Sequence, residues 1–134
     1  MVAGCATTTG LAGFATATIE VGDQPLTVLL AETSTQRRQG LREVPSLPVG
    51  IDGMLFVWDA PTTATFGMLD TMMPLDIWWF DGDGILLGST RMEPCPAEPC
   101  AGHGSPGPIR WALETPAGEF ELETGARLST VEIP

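Results

Sequence analysis

The sequence predicts a mainly β protein with one or two short helices. Three observations carry that expectation. The 134 residues fit one domain at roughly 100–200 residues per domain. An apolar fraction of 43% against a charged fraction of 17% supplies a core and argues against disorder. Short alternating or apolar runs, bounded by Gly, Pro or Asp, recur along the chain, whereas only short segments carry helix signals.

The elements follow in order. Residues 15–21 alternate and are rich in β-branched side chains, as a strand requires. Gly22, Asp23, Gln24 and Pro25 supply turn chemistry, so residues 26–31 read as the hairpin partner. Thr33 and Gln36 have the spacing of a capping box, and Gly40 supplies a stop, which predicts a short helix over 34–39. Arg37 and Arg38 on that helix read as solvated positions rather than ligand clamps. Pro45, Pro48 and Gly50 break residues 45–52 into a loop. Residues 54–58, 63–69 and 75–80 make a strand-rich middle. Asp81, Gly82, Asp83 and Gly84 are a tight hairpin connection into residues 85–90; the acids lack the further ligands of a calcium loop. Five prolines make residues 94–108 a long irregular excursion, of a length that is often functional or covalently pinned. Residues 109–114 and 127–133 are later strands, while 119–123 suit either a strand or a short helical turn pair.

Charge narrows the partners. Seventeen acids against six bases give a net charge of −11, and all six bases are arginine. Such a chain has little with which to neutralise phosphates, so nucleic acid and anionic lipid are disfavoured. No run approaches the roughly 18 apolar residues of a membrane span.

The N-terminus and the cysteines point to export. Val2, Ala3, Gly4 and Cys5 follow the residue order of a bacterial lipoprotein cleavage site, without the charged start and apolar stretch that precede such a site. Residues 1–14 are therefore expected to be a truncated signal remnant and flexible tether, lipidated at Cys5, and residues 15–134 a single β-rich domain. Cys95 and Cys100 flank four residues of a proline-rich loop. A disulfide there suits an oxidising compartment and leaves Cys5 for the lipid. The expected location is exported, in the cell envelope or outside the cell, with the membrane reached only through the lipid anchor.

Five motifs in this order resemble one family. Gln39-Gly40-Leu41-Arg42, Gly53-Met54-Leu55-Phe56, Phe66-Gly67-Met68-Leu69-Asp70-Thr71, Pro74-Leu75-Asp76-Ile77 and Pro94-Cys95 with Cys100 resemble the bacterial and archaeal domain of unknown function 192. The resemblance runs from about Ile19 to Arg127. It implies a small, mainly antiparallel, barrel-like β domain, frequently exported or lipid-anchored, and no established activity. Where that family often reads Trp-Met-Lys-Asn-Thr, this chain has Gly67-Met68-Leu69-Asp70-Thr71, so a role of that lysine is not available here. His103 stands where relatives often place an aromatic residue after the second cysteine.

Three constellations could carry function. Phe66 and Met68 lie two apart and so share a strand face, with Asp70 and Thr71 at its end. Asp76 opens the next strand after Pro74. Two carboxylates held close would separate in pKa and serve as general acid and base; the simpler role of each is to cap a turn. Trp78 and Phe80 face one side of their strand and Ile77 and Trp79 the other, as a core strand or as a surface for sugar or protein. Met92, Cys95, Cys100 and His103 form a soft set that would suit copper or zinc, but the cysteine spacing is looser than zinc sites use and the disulfide is preferred.

A lone histidine, no Ser/His/Asp or Cys/His set and no phosphate loop leave catalysis without a template. The expectation is a non-catalytic binding or interaction module of the cell envelope, with no cofactor and no metal. Its face is Phe66, Met68, Asp70, Thr71 and Asp76 with Trp78, and its partner a small molecule, glycan or envelope protein. The alternative is a small exported enzyme using Asp70 and Asp76, or a copper or zinc protein using Cys95, Cys100 and His103.

Overall fold

The computed structural model describes residues 11–132, so Cys5 and the sequence around it lie outside the described residues. β1 (Ala15–Val21) and β2 (Gln24–Ala31) form the expected hairpin, with Ala15 opposite Leu30 and Val21 opposite Gln24. Residues 11–14, the end of the expected tether, meet the core: Leu11 is buried in it and Phe14, partly buried, packs against it.

α1 (Ser34–Gln39) begins at the predicted capping box. The Gln36 amide donates to Thr33 Oγ1 at 3.1 Å, and the Thr33 amide donates to Gln36 Oε1 at 3.2 Å. Gly40 ends the helix at φ 49°, a left-handed value glycine takes without steric cost. Six residues cannot hold a helix alone. Arg37 anchors this one, donating Nη1 to the carbonyls of Glu32 and Val57 at 2.9 and 2.8 Å. The span from 32 to 52 returns the chain so that β3 (Gly53–Thr62) pairs parallel with β2, a connection that only a long crossover allows.

The remaining strands are β4 (Thr65–Phe66), β5 (Leu75–Phe80), β6 (Leu86–Met92), β7 (His103–Gly104), β8 (Ile109–Pro116) and β9 (Leu128–Glu132). Seven of the strands form one sheet in the order β6-β5-β8-β3-β2-β1-β9, and β4 pairs with β7 apart from it. Except for β2–β3, the sheet pairs are antiparallel. Its two edges approach each other: Leu86 donates to Ala126, Leu128 donates to Gly84, and Ile85 bridges Arg127. The result is a curled half-barrel.

Two expected elements differ. The run 63–69 keeps only Thr65 and Phe66 as a strand, because its partner is the two-residue β7 inside the 94–108 excursion, and Leu69 adds an isolated bridge to Cys95. Residues 119–123 are neither strand nor helix. A turn in which the Glu119 amide donates to the Pro116 carbonyl redirects the chain, and Phe120 and Leu122 then pack on the core without a strand beside them.

Alternation divides the core. Ile19, Val28, Leu30, Leu55, Leu113, Trp78 and Phe80 belong to one cluster, inside the curl. Leu29, Ala31, Met54, Phe56, Ala112, Ile77 and Trp79 belong to the other, on the outer face. Leu41, Val44, Phe66, Met68, Met73 and Met92 complete that outer cluster. Gly53 allows β3 to sit where it does, since a Cβ there would overlap the carbonyl oxygen of Glu114 on β8. Gly53→Ala is expected to destabilise the fold by about 1–3 kcal/mol, the usual range for overpacking, measured as a lowered urea midpoint with unchanged slope.

Candidate functional site

Cover over the outer face is incomplete beside α1. Between α1, the end of β3 and β4 lies a pocket of about 280 Å³, lined by Arg37, Arg38, Arg42, Phe56, Trp58, Phe66, Thr71 and Glu114 among others. Each wall has a local origin. Arg37 and Arg38 occupy the last turn of α1, where the helix dipole favours cations. Arg42 is held by a bridge to Thr71. Phe56 and Trp58 lie two apart on β3, and Phe66 meets them edge-on at centroid distances of 5.5 and 6.1 Å. The Arg37 guanidinium stands 5.4 Å from the Trp58 ring centre, a cation–π contact that braces this wall.

Glu114 forms the floor. It lies opposite Ile77 of β5 and Met54 of β3, residues of the outer cluster, so its side chain shares the face of the pocket. Only 5% of it is exposed, and no hydrogen bond or ion pair reaches its carboxyl among the described residues. Burial alone pushes this group up to about 8. Trp79, diagonal to Glu114 on the same face, also has a buried Nε1–H without an acceptor. The rim has the opposite character: Arg38 and Arg42 are exposed and have no side-chain partner among the described residues.

The structure divides the residues that the sequence grouped. Phe66 and Thr71 line the pocket. Met68 is 1% exposed and belongs to the core beneath it. Asp70 sits in an exposed turn at φ 60°, beside a separate depression shared with Glu43, Met72 and Pro94. Asp76 is buried on the other face of the sheet, in the same register class as Trp78 and Phe80. It accepts from Arg91 Nε at 2.8 Å, from Arg91 Nη2 at 3.1 Å and from the Gly118 amide at 2.9 Å. Trp78 is 6% exposed, and its Nε1–H donates to Thr115 Oγ1 at 3.1 Å. Asp70 and Asp76 therefore line different depressions and form no carboxylate pair.

Cys95 and Cys100 form the expected disulfide, with Cα atoms 5.9 Å apart. Neither retains a thiolate for copper or zinc, and His103 is placed in β7 opposite Phe66. Among the described residues no group of three or more His, Cys, Asp and Glu is arranged to hold a metal. No helix among them is long and apolar enough to cross a membrane.

Sequence reasoning missed Glu114 and set aside Arg37 and Arg38. One signal was available for the first: a glutamate directly after the apolar run Trp111-Ala112-Leu113 of a strand.

Fold and site together define a small half-barrel β protein with one short helix over its outer face and a cationic-rimmed, aromatic-walled pocket beside that helix. Comparison with family models matches residues 16–130 to domain of unknown function 192, described as Uncharacterized ACR. The chain belongs to that family. Among solved structures it is similar to a protein of Sinorhizobium meliloti described as a "putative transcription regulator", at 26% identity and a TM-score of 0.76 over 87% of this chain and 95% of that one. A protein of unknown function from Novosphingobium aromaticivorans shares the fold at 24% identity and a TM-score of 0.76, over 88% of this chain and 87% of that one. No curated protein matches the chain.

Two pH predictions follow from the buried acids. Glu114 holds its proton to about pH 8 when folded and loses it near the ordinary carboxylate value when unfolded. Folded chains then bind the extra proton between those values, so stability falls as pH rises, by up to ~1.4 kcal/mol per unit. Glu114→Gln is expected to remove that slope and to be the more stable chain at pH 8, measured by urea unfolding across pH 5–9. Asp76 has the reverse sign. Burial raises its pKa, but the hydrogen bond and charge of Arg91 and the Gly118 amide outweigh burial and leave it below the ordinary value of 3.8. Its contribution is complete above that value and is lost as pH falls through the lower folded pKa. Asp76→Asn is expected to cost about 1–2 kcal/mol at pH 7, a difference that shrinks in unfolding curves below pH 4.

Proposed function

We propose that this protein is a binding module whose pocket between α1, β3 and β4 takes a small anionic ligand with an apolar body. The arginine distribution carries the reading. In a chain of net charge −11 with no lysine, three of six basic side chains line this one pocket. Structural work accounts for Arg37, but Arg38 and Arg42 stabilise nothing visible among the described residues. Guanidinium groups clustered against an acidic background attract an anion and hold carboxylate or phosphate through paired hydrogen bonds. Phe56, Trp58 and Phe66 offer the apolar body its contact surface.

The Cys95–Cys100 disulfide favours an oxidising compartment, which supports an exported module of the cell envelope with Cys5 as its candidate lipid anchor. Nucleic acid is a poor partner for so acidic a chain. A carboxylate-pair enzyme is not favoured, because Asp70 and Asp76 lie apart.

Anilinonaphthalene sulfonate, an anion on an aromatic body, tests the pocket. The folded protein is expected to bind it saturably at one site, with binding weakening as salt rises. The double variant Arg38→Gln with Arg42→Gln is expected to lose about tenfold in affinity, or ~1.4 kcal/mol, at an unchanged melting temperature. Equal affinity in the double variant would refute the pocket reading.

A further inference from the structure

We infer that the ligand of this pocket is a zwitterion of the α-amino acid class, with its carboxylate at Arg38 and Arg42, its ammonium at Glu114 and an apolar side chain against the aromatic wall. The inference rests on the pocket reading above and assigns Glu114 a role that the anion alone leaves unexplained. Glu114 is 95% buried and lines the pocket, and a carboxyl there that meets no hydrogen-bond donor among the described residues is costly to keep. Apolar residues of similar size would suit a merely structural position between Met54 and Ile77 better.

Among the described residues, neither Arg38 and Arg42 at one pole nor Glu114 at the other has a side-chain partner. The charged groups lining it are Arg37, Arg38, Arg42 and Glu114. No hydrogen bond links the arginines to the acid, and Arg37 is committed to backbone carbonyls. Burial, with no contribution from the arginines, sets the acid's proton affinity. A ligand with separated charges of opposite sign satisfies both ends together. A compact ammonium supplies three donors to a carboxylate and tolerates aromatic faces beside it. Phe56 and Phe66 line the same pocket, while Trp58 already meets Arg37. The volume of about 280 Å³ lies just below the usual range of drug-sized sites, which suits a metabolite of amino acid size.

Binding carries a proton signature. Without ligand at pH 7, Glu114 is predominantly the neutral acid; with an ammonium against it, the carboxylate is favoured. The Glu114 O–H proton then passes to solvent as the ammonium N–H groups donate to the carboxylate. The ligand keeps its own charges throughout, so protons balance.

The experiment is calorimetric titration of the full chain at pH 7 in two buffers of different ionisation enthalpy. Probes are L-phenylalanine, L-leucine, phenylpropionate, which lacks the ammonium, and phenethylamine, which lacks the carboxylate. L-phenylalanine or L-leucine is expected to bind about tenfold or more tightly than either single-charge analogue, with release of close to one proton. In Glu114→Gln the proton release and the preference for the ammonium are expected to disappear. Phenylpropionate binding as well as L-phenylalanine would overturn the zwitterion inference and leave the anion pocket standing, with Glu114 donating as a neutral acid. Failure of both amino acids to bind or displace anilinonaphthalene sulfonate, while that dye still depends on Arg38 and Arg42, would overturn it in the same way. Should Glu114→Gln not fold, the analogue series and proton count on the unaltered chain decide the question alone.

Discussion

Every residue of β5, from Leu75 to Phe80, is buried, and a strand in that position must be covered on both sides. The rest of the molecule answers this constraint. On one side the sheet curls until residues 84–86 approach residues 126–128, enclosing Trp78, Phe80, Leu55 and Leu113. On the other side the cover comes from connections: α1 with Leu41 and Val44, the segment carrying Phe66, Met68 and Met73, and Met92 at the end of β6. Sheet curvature covers the first side continuously. The second side is tiled from separate pieces, and the pocket is the gap where those pieces meet around Glu114.

Charge placement makes that gap chemically distinctive. Arg91 neutralises Asp76 on the inner face, Arg110 donates to the Trp58 carbonyl, and Arg127 donates to the Asp83 carbonyl. Arg37 anchors α1. Arg38 and Arg42 stand apart from these structural uses, and they face the same pocket as the unpaired Glu114. The contrast between the two buried acids is instructive. Asp76 has a guanidinium and an amide to stabilise its charge, whereas Glu114 has neither. One carboxylate is therefore part of the fold's own electrostatics, and the other is governed by burial alone.

The proline-rich excursion belongs to the same arrangement. Its disulfide closes a five-residue separation, the Cys95 amide donates to the Met68 carbonyl, and the Asp70 amide donates to the Cys95 carbonyl. Further along, His103 pairs with Phe66. Phe66, one of the three aromatic walls of the pocket, is thus fixed by a segment that has little regular structure of its own. The covalent closure limits the conformations of a loop that backbone hydrogen bonding holds only sparsely.

Much of this was legible in the amino-acid sequence, wherever the governing forces are local. Alternation and turn chemistry determined β1, β2, β5 and their hairpins; a capping box and Gly40 determined α1; and two close cysteines in a stiff loop determined the disulfide. The family followed from five motifs in order. What the sequence could not place was the far side of each choice. Phe66 and Asp76, ten residues apart, ended on opposite faces because the chain turns between β4 and β5 and the register with β8 then sets which face each residue takes. Arg38, Arg42 and Glu114 met because α1 packs across a sheet whose β8 strand arrives from the other end of the chain. Local preference decides which residues form a strand or a helix. Which of their side chains share a cavity depends on register, curvature and cover, and those exist only once distant segments have packed.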